Sequence, residues 1–360
     1  MKVLQVVAGD RWTGAAATVL QLTEALRAAG HDCQLVFRPG RGLEVMLRGV
    51  PWAHAVLPKE RSLGEIRRNV AALGKLADGV DIVHCHLPHD HILTRLALRG
   101  RPGPKLVRGV HTPGHLRPHL LNRSLYRGTS GLSLANSALL ELARRLPSLA
   151  GVPVQVLPLA LEPRFRPGGD RERVRDRLGI PREAFVAGSI GKLVPDRGQD
   201  LFLRGVASVP GAWALLVGKG PAVPRLQQLA SELGLAARLV MPGYVEAGLE
   251  ELYAAMDLFV FPAAGSDHAH RAIAEAAGCG LAALAVDLPG VRDLVEPGVT
   301  GDLWTPGDWQ ALGALLRGWA AGRERCRLAG EAAAARAARE WTPAALAARA
   351  LELYAAAGVK

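Results

Sequence analysis

Two cationic side chains flank a predicted strand-to-helix turn in the second half of the chain, an arrangement suited to gripping a diphosphate. Lys192 and Arg197 lie five positions apart, and Gly191 directly precedes the first of them. Two fixed positive groups at a helix N-terminus attract phosphate oxygens, and each charge-assisted contact is worth roughly 1.5–3 kcal/mol. The alternative is a pair of solvated loop cations. A second loop shaped for close backbone approach, residues 218–221, follows the next predicted strand.

Two carboxylates further along the chain form the second candidate pair. Asp267 precedes a predicted helix, and Glu275 lies on that helix eight positions later. Eight residues make just over two helical turns, so one carboxylate can face a ligand at the start of the helix while the other lies along its flank. Asp267 is equally suited to cap the helix, because Asp is a favoured N-cap residue.

Histidines are concentrated in the first half, where seven of the eleven lie between positions 84 and 119. Alternation along a strand directs His84 and His86 to one face and Cys85 to the other, which argues against one shared metal site. His111 follows a predicted strand, where a catalytic role and a merely hydrogen-bonded loop histidine are the alternatives.

The turn after the first predicted strand, residues 9–16, includes Gly14 and Ala15. Its glycines let the backbone approach an anion at a helix N-terminus. The spacing is not that of a dinucleotide-binding fingerprint, and no acidic residue ends the second strand to bind a ribose. An ordinary tight turn is the alternative.

Short apolar runs alternate with helical patterns along the chain, which predicts parallel βαβ units. In open sheets of this kind ligands bind at the carboxyl ends of the strands, so the strands must position the candidate side chains in the loops that follow them. The predicted elements are a helix at residues 13–29 and strands at residues 2–7, 32–37, 80–85, 105–110, 185–190, 213–217, 238–241, 258–261 and 281–286.

A Pro- and Gly-rich stretch at residues 163–169 is suited to a linker, and the strand–helix pattern restarts after it. The sequence therefore predicts an α/β protein with two doubly wound, parallel-sheet, Rossmann-like domains, residues 1–163 and 164–341, facing a cleft. A last helix is predicted within 342–360, because Thr342 is a favoured N-cap and a proline follows it. This helix is free to pack back on the first domain.

Charge is distributed unevenly. The chain has 44 basic and 33 acidic residues, a net charge of +11. Residues 1–162 carry 21 basic and 11 acidic side chains (+10), whereas residues 163–360 carry 23 and 22 (+1). A one-sided basic field indicates an anionic partner, such as nucleic acid, anionic lipid or a phosphorylated acceptor, although a solvated helix face is the commoner explanation. Contributors to the excess are Arg67, Arg68, Lys75, Arg95, Arg99, Arg101, Lys105, Arg108, Arg117, Arg123 and Arg127.

Composition excludes several classes of protein. Apolar residues make up 49% of the chain, too many for a disordered protein. The four cysteines are scattered, which excludes a disulfide scaffold and favours a reducing cytosol. The longest uncharged run of small and apolar residues, 276–286, is about half of what a membrane span needs. The N-terminus becomes polar too early for a signal peptide.

Taken in order, the motifs resemble glycosyltransferase family four, retaining enzymes of GT-B architecture. Each motif is weak by itself, but the ordered series covers nearly the whole chain. The series comprises residue 26 with 30–32, then residues 83–86, 107–112, 191–193, 197–198, 217–221, 243–245, 255–262, 267–275, 289–295 and 298–301.

The resemblance implies a role for each candidate residue. Lys192 and Arg197 match the pair of cations on the donor diphosphate, with the two residue types exchanged. Glu275 matches the acid that binds the nucleotide ribose, while Asp267 and His111 match positions facing the transferred sugar. The family has Glu where this chain has Asp267, and a glycine-rich turn where it has residues 268–270. Further implied substrate contacts are Gly14, Ala15, Gly191, Gly218, Gly243, Tyr244, Ala269, His270, Arg271 and Ala272.

The activity implied by the resemblance is transfer of a sugar from a nucleotide-sugar donor to a glycan or lipid-linked acceptor, with retention of configuration. The first domain is then the acceptor domain and the second binds the nucleotide sugar. In the implied front-face mechanism the leaving diphosphate helps to take the acceptor proton, and two cations stabilise its charge. No cofactor, metal or nucleic-acid partner is expected.

The expected location is the cytoplasm, with a peripheral position on the inner face of the membrane if the acceptor is lipid-linked. Two alternatives stay open. One is a non-catalytic basic protein that binds anionic membrane or nucleic acid, and the other is a sugar-nucleotide epimerase of the same architecture.

Overall fold

The computed structural model describes residues 1–9, 14–40, 42–117, 120–245, 247–263 and 270–359, with residues 14, 15 and 120–122 described by their backbone alone. The chain divides into two compact units. The first comprises residues 1–160 together with 342–360, and the second comprises residues 161–341.

The first unit is built on a seven-stranded parallel sheet with the strand order β3-β2-β1-β4-β5-β6-β7. Its strands are β1 Lys2–Val7, β2 Asp32–Phe37, β3 Ala53–Ala55, β4 Ile82–Cys85, β5 Lys105–Val110, β6 Gly131–Leu134 and β7 Val154–Val156. Its helices are α1 Gly14–Ala28, α2 Leu43–Met46, α3 Leu63–Leu76, α4 Pro88–Ala97, α5 Leu120–Tyr126, α6 Ser137–Arg144 and, from the end of the chain, α14 Pro343–Ala356.

The second unit has a six-stranded parallel sheet with the order β10-β9-β8-β11-β12-β13. Its strands are β8 Val186–Ile190, β9 Trp213–Val217, β10 Leu239–Gly243, β11 Leu258–Phe261, β12 Ala283–Val286 and β13 Gly301–Trp304. Its helices are α7 Arg171–Leu178, α8 Gln199–Ala207, α9 Val223–Glu232, α10 Leu249–Ala254, α11 Arg271–Gly278, α12 Trp309–Ala321 and α13 Arg323–Glu340.

This architecture confirms the predicted fold class of two doubly wound parallel sheets. The nine predicted strands are present, and β1, β2, β5, β9 and β11 have the predicted bounds. Strands β3, β6, β7 and β13 were not predicted, because runs of three or four residues carry little periodic signal. Within the described residues, no helix is both long enough and apolar enough to cross a bilayer.

The last helix belongs to the core of the first unit. Thr342 caps α14 by accepting a hydrogen bond from the backbone N–H of Ala345, as the Thr-Pro pair predicted. Leu346 and Leu353 are buried against Leu22 and Leu26 of α1. The first sheet is therefore covered by two helices that lie at opposite ends of the chain.

One predicted surface cation, Arg108, is buried. It lies within β5 and is 2% exposed, with its guanidinium 3.5 Å from the carbonyl oxygen of Cys85. A central parallel strand is covered on both faces, so even a charged side chain on it is removed from solvent. Arg108 therefore contributes no exposed charge, whereas Arg67, Arg68 and Arg123 are exposed.

Candidate active site

The turn between β8 and α8 carries the two predicted cations. Lys192 is exposed and Arg197 is half-buried. Asp196 and Gly198 both adopt the left-handed backbone conformation, with φ of +67° and +72°. A Cβ on Gly198 would collide with the carbonyl oxygen of Pro262, so only glycine lets the start of α8 lie against the end of β11. This contact places the cation-bearing turn beside the segment that leads to the predicted acids.

Glycines also bring the loops after β8, β9 and β10 together. The backbone N–H of Gly191 donates to the carbonyl oxygen of Val217 at 3.0 Å, and that of Gly218 donates to the carbonyl oxygen of Gly243 at 2.9 Å. A Cβ on Gly218 would collide with the carbonyl oxygen of Gly191. Three predicted site residues, each at or just after the end of a different strand, thus lie next to one another at the carboxyl edge of the second sheet.

Lys219 is a third cation at this edge, and it was not among the predicted site residues although it lies in one of the predicted loops. It lies two residues after β9, as Lys192 lies two residues after β8, and this parallel spacing was the available signal. Its Nζ atom is 4.1 Å from the ring centroid of Tyr244, the residue that follows β10. Tyr244 is 58% exposed. The cation–π contact holds the ammonium group and the aromatic face next to each other at the open edge.

Glu275 is buried on α11, with 8% of its surface exposed. The Tyr253 hydroxyl donates to Oε2 at 3.0 Å, and Nε of Arg271 donates to Oε1 at 3.0 Å. Burial raises the pKa of the Glu275 carboxyl, while Arg271 opposes that shift by favouring the anion. A carboxylate oxygen has room for more than one hydrogen bond, so Glu275 is able to bind a ligand without losing these partners.

Other predicted contacts lie around the start of α11. His270 is buried, and its ring meets the Phe261 ring edge-on with centroids 5.6 Å apart. Ala272 is half-buried, and its carbonyl oxygen accepts a hydrogen bond from the Tyr253 hydroxyl at 3.3 Å. Asp267 and Ala269 fall outside the described residues.

The first unit contributes a row of buried polar side chains at the carboxyl ends of β4 and β5. His84 and His86 share a face, with ring centroids 4.2 Å apart, and His111 lies 5.8 Å from His86. The thiol of Cys85 instead donates to the carbonyl oxygen of Val107 at 3.5 Å on the other side, which confirms the predicted alternation. Gly14 lies at the start of α1, where it and Ala15 are described by backbone alone.

Hydrogen bonds link these histidines to the last helix. His84 bonds through Nδ1 to the Tyr354 hydroxyl at 2.9 Å and through Nε2 to the Ser133 hydroxyl at 2.8 Å. His86 bonds through Nε2 to Oε1 of Gln5 at 2.7 Å, and the Gln5 amide donates to Tyr354 at 3.3 Å. Burial lowers the pKa of His84 to about 3 and holds that of His86 well below its usual range, so both rings are neutral near pH 7.

No cluster of three or more His, Cys, Asp or Glu side chains able to hold a metal ion occurs in the described parts of the chain. The His84–His86 pair is hydrogen-bonded to protein groups, as detailed above.

Comparison with known proteins gives the class of the molecule. Residues 12–138 match the family described as Glycosyltransferase Family 4, and residues 170–336 match Glycosyl transferases group 1. D-inositol 3-phosphate glycosyltransferase of Mycobacterium ulcerans (strain Agy99) is 35% identical over 160 residues, which are 43% of this chain and 34% of that protein. Its counterpart in Mycobacterium tuberculosis (strain F11) is 34% identical over 163 residues, 42% of this chain and 34% of the relative.

Solved structures share the fold over nearly the whole chain. Anabaena HepE in complex with UDP aligns with a TM-score of 0.84 at 22% identity, covering 98% of this chain and 99% of that one. A glycosyltransferase from Rickettsia africae has a TM-score of 0.84 at 14% identity, covering 99% and 98%. The chain belongs to the glycosyltransferases of the group 1 and family 4 type and has their GT-B fold. Its match to the curated relatives spans about a third of their length.

Proposed function

We propose that this glycosyltransferase moves a sugar from a nucleoside diphosphate sugar to a glycan or lipid-linked acceptor, with retention of configuration. The observation that carries the proposal is the meeting of the loops after β8, β9 and β10 at one edge of the second sheet. Lys192, Arg197 and Lys219 lie on two of these loops. The contact between Gly198 and Pro262 adds the segment that leads to Glu275.

The cations suit the charge that develops on the donor. As the bond to the sugar breaks, negative charge accumulates on the leaving diphosphate, and fixed positive groups stabilise it in the transition state. In the front-face mechanism the same leaving group takes the acceptor proton. A lysine and an arginine already supply positive charge, so we propose that the reaction needs no metal ion and survives chelation with EDTA.

The two acids complete the donor site in this proposal. Glu275 binds the ribose hydroxyls. Its carboxylate is held in place by hydrogen bonds from Tyr253 and Arg271. Asp267 faces the sugar. In the first unit, the His111 ring lies 5.8 Å from the neutral His86 ring at the carboxyl edge of the sheet.

The acceptor is proposed to be anionic or membrane-bound. Residues 1–162 carry nearly all of the net positive charge, and Arg67, Arg68 and Arg123 are exposed. The mycobacterial relatives are named for a phosphorylated acceptor, D-inositol 3-phosphate. We therefore place the enzyme in the cytoplasm, with its first unit near an anionic inner membrane surface when the acceptor is lipid-linked.

Product analysis tests the activity. Sugars of UDP, GDP and ADP are incubated with the enzyme and a panel of phosphorylated and lipid-linked acceptors, starting with UDP-glucose, with which HepE was also crystallised. A glycosylated product of retained anomeric configuration, together with free nucleoside diphosphate, supports the proposal. An epimerised nucleotide sugar, or binding of anionic lipid without turnover of any donor, would replace it with one of the other two activities.

A further inference from the structure

Side chains of alternating charge link Glu275 on α11 to the segment that precedes α7. Nη2 of Arg271 donates to Oε1 of Glu162 at 3.0 Å, while Nε of the same guanidinium donates to Glu275. Arg164 in turn donates to Oε2 of Glu162 at 2.9 Å and approaches Glu250 at 3.4 Å. The segment before α7 is therefore connected to the carboxylate on α11 through one arginine.

Arg271 is committed to these carboxylates. Its Nε and Nη2 atoms donate to the two carboxylates, and 30% of its side chain is exposed. Its partner Glu275 is much more buried, with 11% of the side chain exposed, whereas Glu162 is 47% exposed. An anion that is largely removed from water requires a compensating charge, and Arg271 supplies it at hydrogen-bond distance.

Among the described residues, the other groups that face Glu275 are neutral. Tyr253 of α10 donates to the carboxylate, and burial raises the pKa of its hydroxyl well above the usual value. Cys279, one turn further along α11, has its pKa raised to about 12 by burial and by the Glu275 charge. Of the described side chains, the charged ones that act on the Glu275 carboxyl are therefore Arg271, which favours the anion, and Glu162, which opposes it.

We propose that Arg271 is a positioning residue for donor binding, which holds the Glu275 carboxylate as an oriented anion, and that Glu162 sets how strongly it does so. The inference rests on the proposed role of Glu275 as the acceptor of hydrogen bonds from the ribose. A carboxylate has acceptor sites for both ribose hydroxyls, whereas the protonated acid loses one of them. Donor affinity must then fall as the pH decreases through the pKa of Glu275.

The direction in which each substitution shifts the pH profile of nucleotide binding follows from the charge that it removes. Arg271→Met removes the cation that favours the anion, so the affinity for the nucleotide begins to fall at a higher pH than in the wild type. Glu162→Gln removes an anion that opposes ionisation, so the decline begins at a lower pH. Arg271→Lys keeps the charge and returns the profile toward that of the wild type. If Arg271 had a purely structural role, its substitution would weaken nucleotide binding by a similar factor at all pH values.

Isothermal titration calorimetry of the full chain between pH 5 and pH 9 measures these profiles. UDP, GDP and ADP are titrated into the wild type, and the tightest binder is used for all variants. The dissociation constant of Arg271→Met, divided by that of the wild type at the same pH, should be about threefold or more larger at pH 5 than at pH 9. Arg327→Met is the matched control, because Arg327 pairs with Glu324 and Glu331 on its own helix. Its profile should coincide with that of the wild type.

The outcomes separate this inference from the proposed function. Glu275→Gln defines the pH dependence that does not come from Glu275, and its profile is the baseline. If Glu275→Gln binds the nucleotide as tightly as the wild type at alkaline pH, the ribose role itself is wrong. If Glu275→Gln binds weakly while Arg271→Met and Glu162→Gln shift the profile in the same direction or not at all, Arg271 does not position Glu275. Thermal unfolding of each variant verifies that it is folded.

Discussion

Each of the two sheets carries polar side chains at its carboxyl edge, but the side chains differ in charge and in burial. In the first unit, His84 and His86 are buried, neutral and hydrogen-bonded to protein groups. In the second unit, Lys192 and Lys219 are exposed on loops that glycines hold together. Burial keeps these two histidines neutral, and neutral rings suit hydroxyl groups, whereas exposed cations suit phosphate. The same kind of parallel sheet thus presents buried neutral rings in one unit and exposed cations in the other, according to how deeply the side chains are buried.

The cationic edge gives the largest expected effect. Lys192→Ala or Arg197→Ala should lower turnover by about 100- to 1000-fold, because each removes a preorganised charge from the transition state. The measurement is the steady-state release of nucleoside diphosphate, with circular dichroism to verify the fold. Arg327→Ala, which removes an exposed cation on α13, should retain normal turnover. Near-normal turnover in both loop variants would mean that the exposed cations do not bind the diphosphate.

The histidine-rich edge is expected to be sensitive to acid. Burial lowers the pKa of His84 and His91 to about 3 and of His115 to about 4. The unfolded chain therefore binds more protons than the folded chain below the ordinary histidine pKa near 6.5. Each histidine then costs about 1.4 kcal/mol of stability per pH unit as the pH falls from about 6.5 to about 4. Asp90, whose pKa burial raises to about 7, acts in the opposite direction but is a single group.

Hydrogen exchange read by mass spectrometry at pH 7.5 and pH 5 compares the two units in one chain. After correction for the intrinsic exchange rate, peptides from β4 and β5 should lose more protection at pH 5 than peptides from β8 and β9. Equal losses in both sheets would contradict the assignment of the acid sensitivity to the first unit.

The two acids of the second unit should have separable effects. Glu275→Gln should weaken binding of the free nucleoside diphosphate by about 1–3 kcal/mol, the usual cost of leaving buried polar partners unpaired. Asp267→Asn should leave that affinity nearly unchanged and reduce turnover, because Asp267 is proposed to face the sugar. Calorimetry with the nucleotide alone distinguishes them, and the reverse pattern would show that the two roles are exchanged.

The smallest expected effect concerns the basic surface of the first unit. Each exposed Lys or Arg near an anionic bilayer contributes about 1 kcal/mol, and the attraction fades over a Debye length of roughly 8 Å at physiological salt. Co-sedimentation should therefore detect binding to anionic vesicles at low salt and little binding to neutral ones. Changing Arg67, Arg68, Arg117 and Arg123 together to Ser should weaken it. Equal binding to both kinds of vesicle, or tighter salt-sensitive binding to DNA, would count against a membrane-bound acceptor.

The sequence by itself determined the strand–helix order of both units. Strands such as β9 and β11 are continuous apolar runs bounded by turn residues, and α14 begins at a Thr-Pro pair whose local chemistry requires no tertiary contact. The turns that carry Lys192 and Gly218 were also recognisable, because glycine and charge at the end of a strand are local signals.

Only the tertiary structure decided which side chains meet. Gln5 and Tyr354 are hydrogen-bonded although 349 residues separate them, and Arg271 reaches Glu162 across 109 residues. It also decided that Arg108 is buried and that Glu275 lies between Tyr253 and Arg271. Periodicity reports only neighbours within a few residues of each other, whereas these contacts depend on how strands and helices pack after they form.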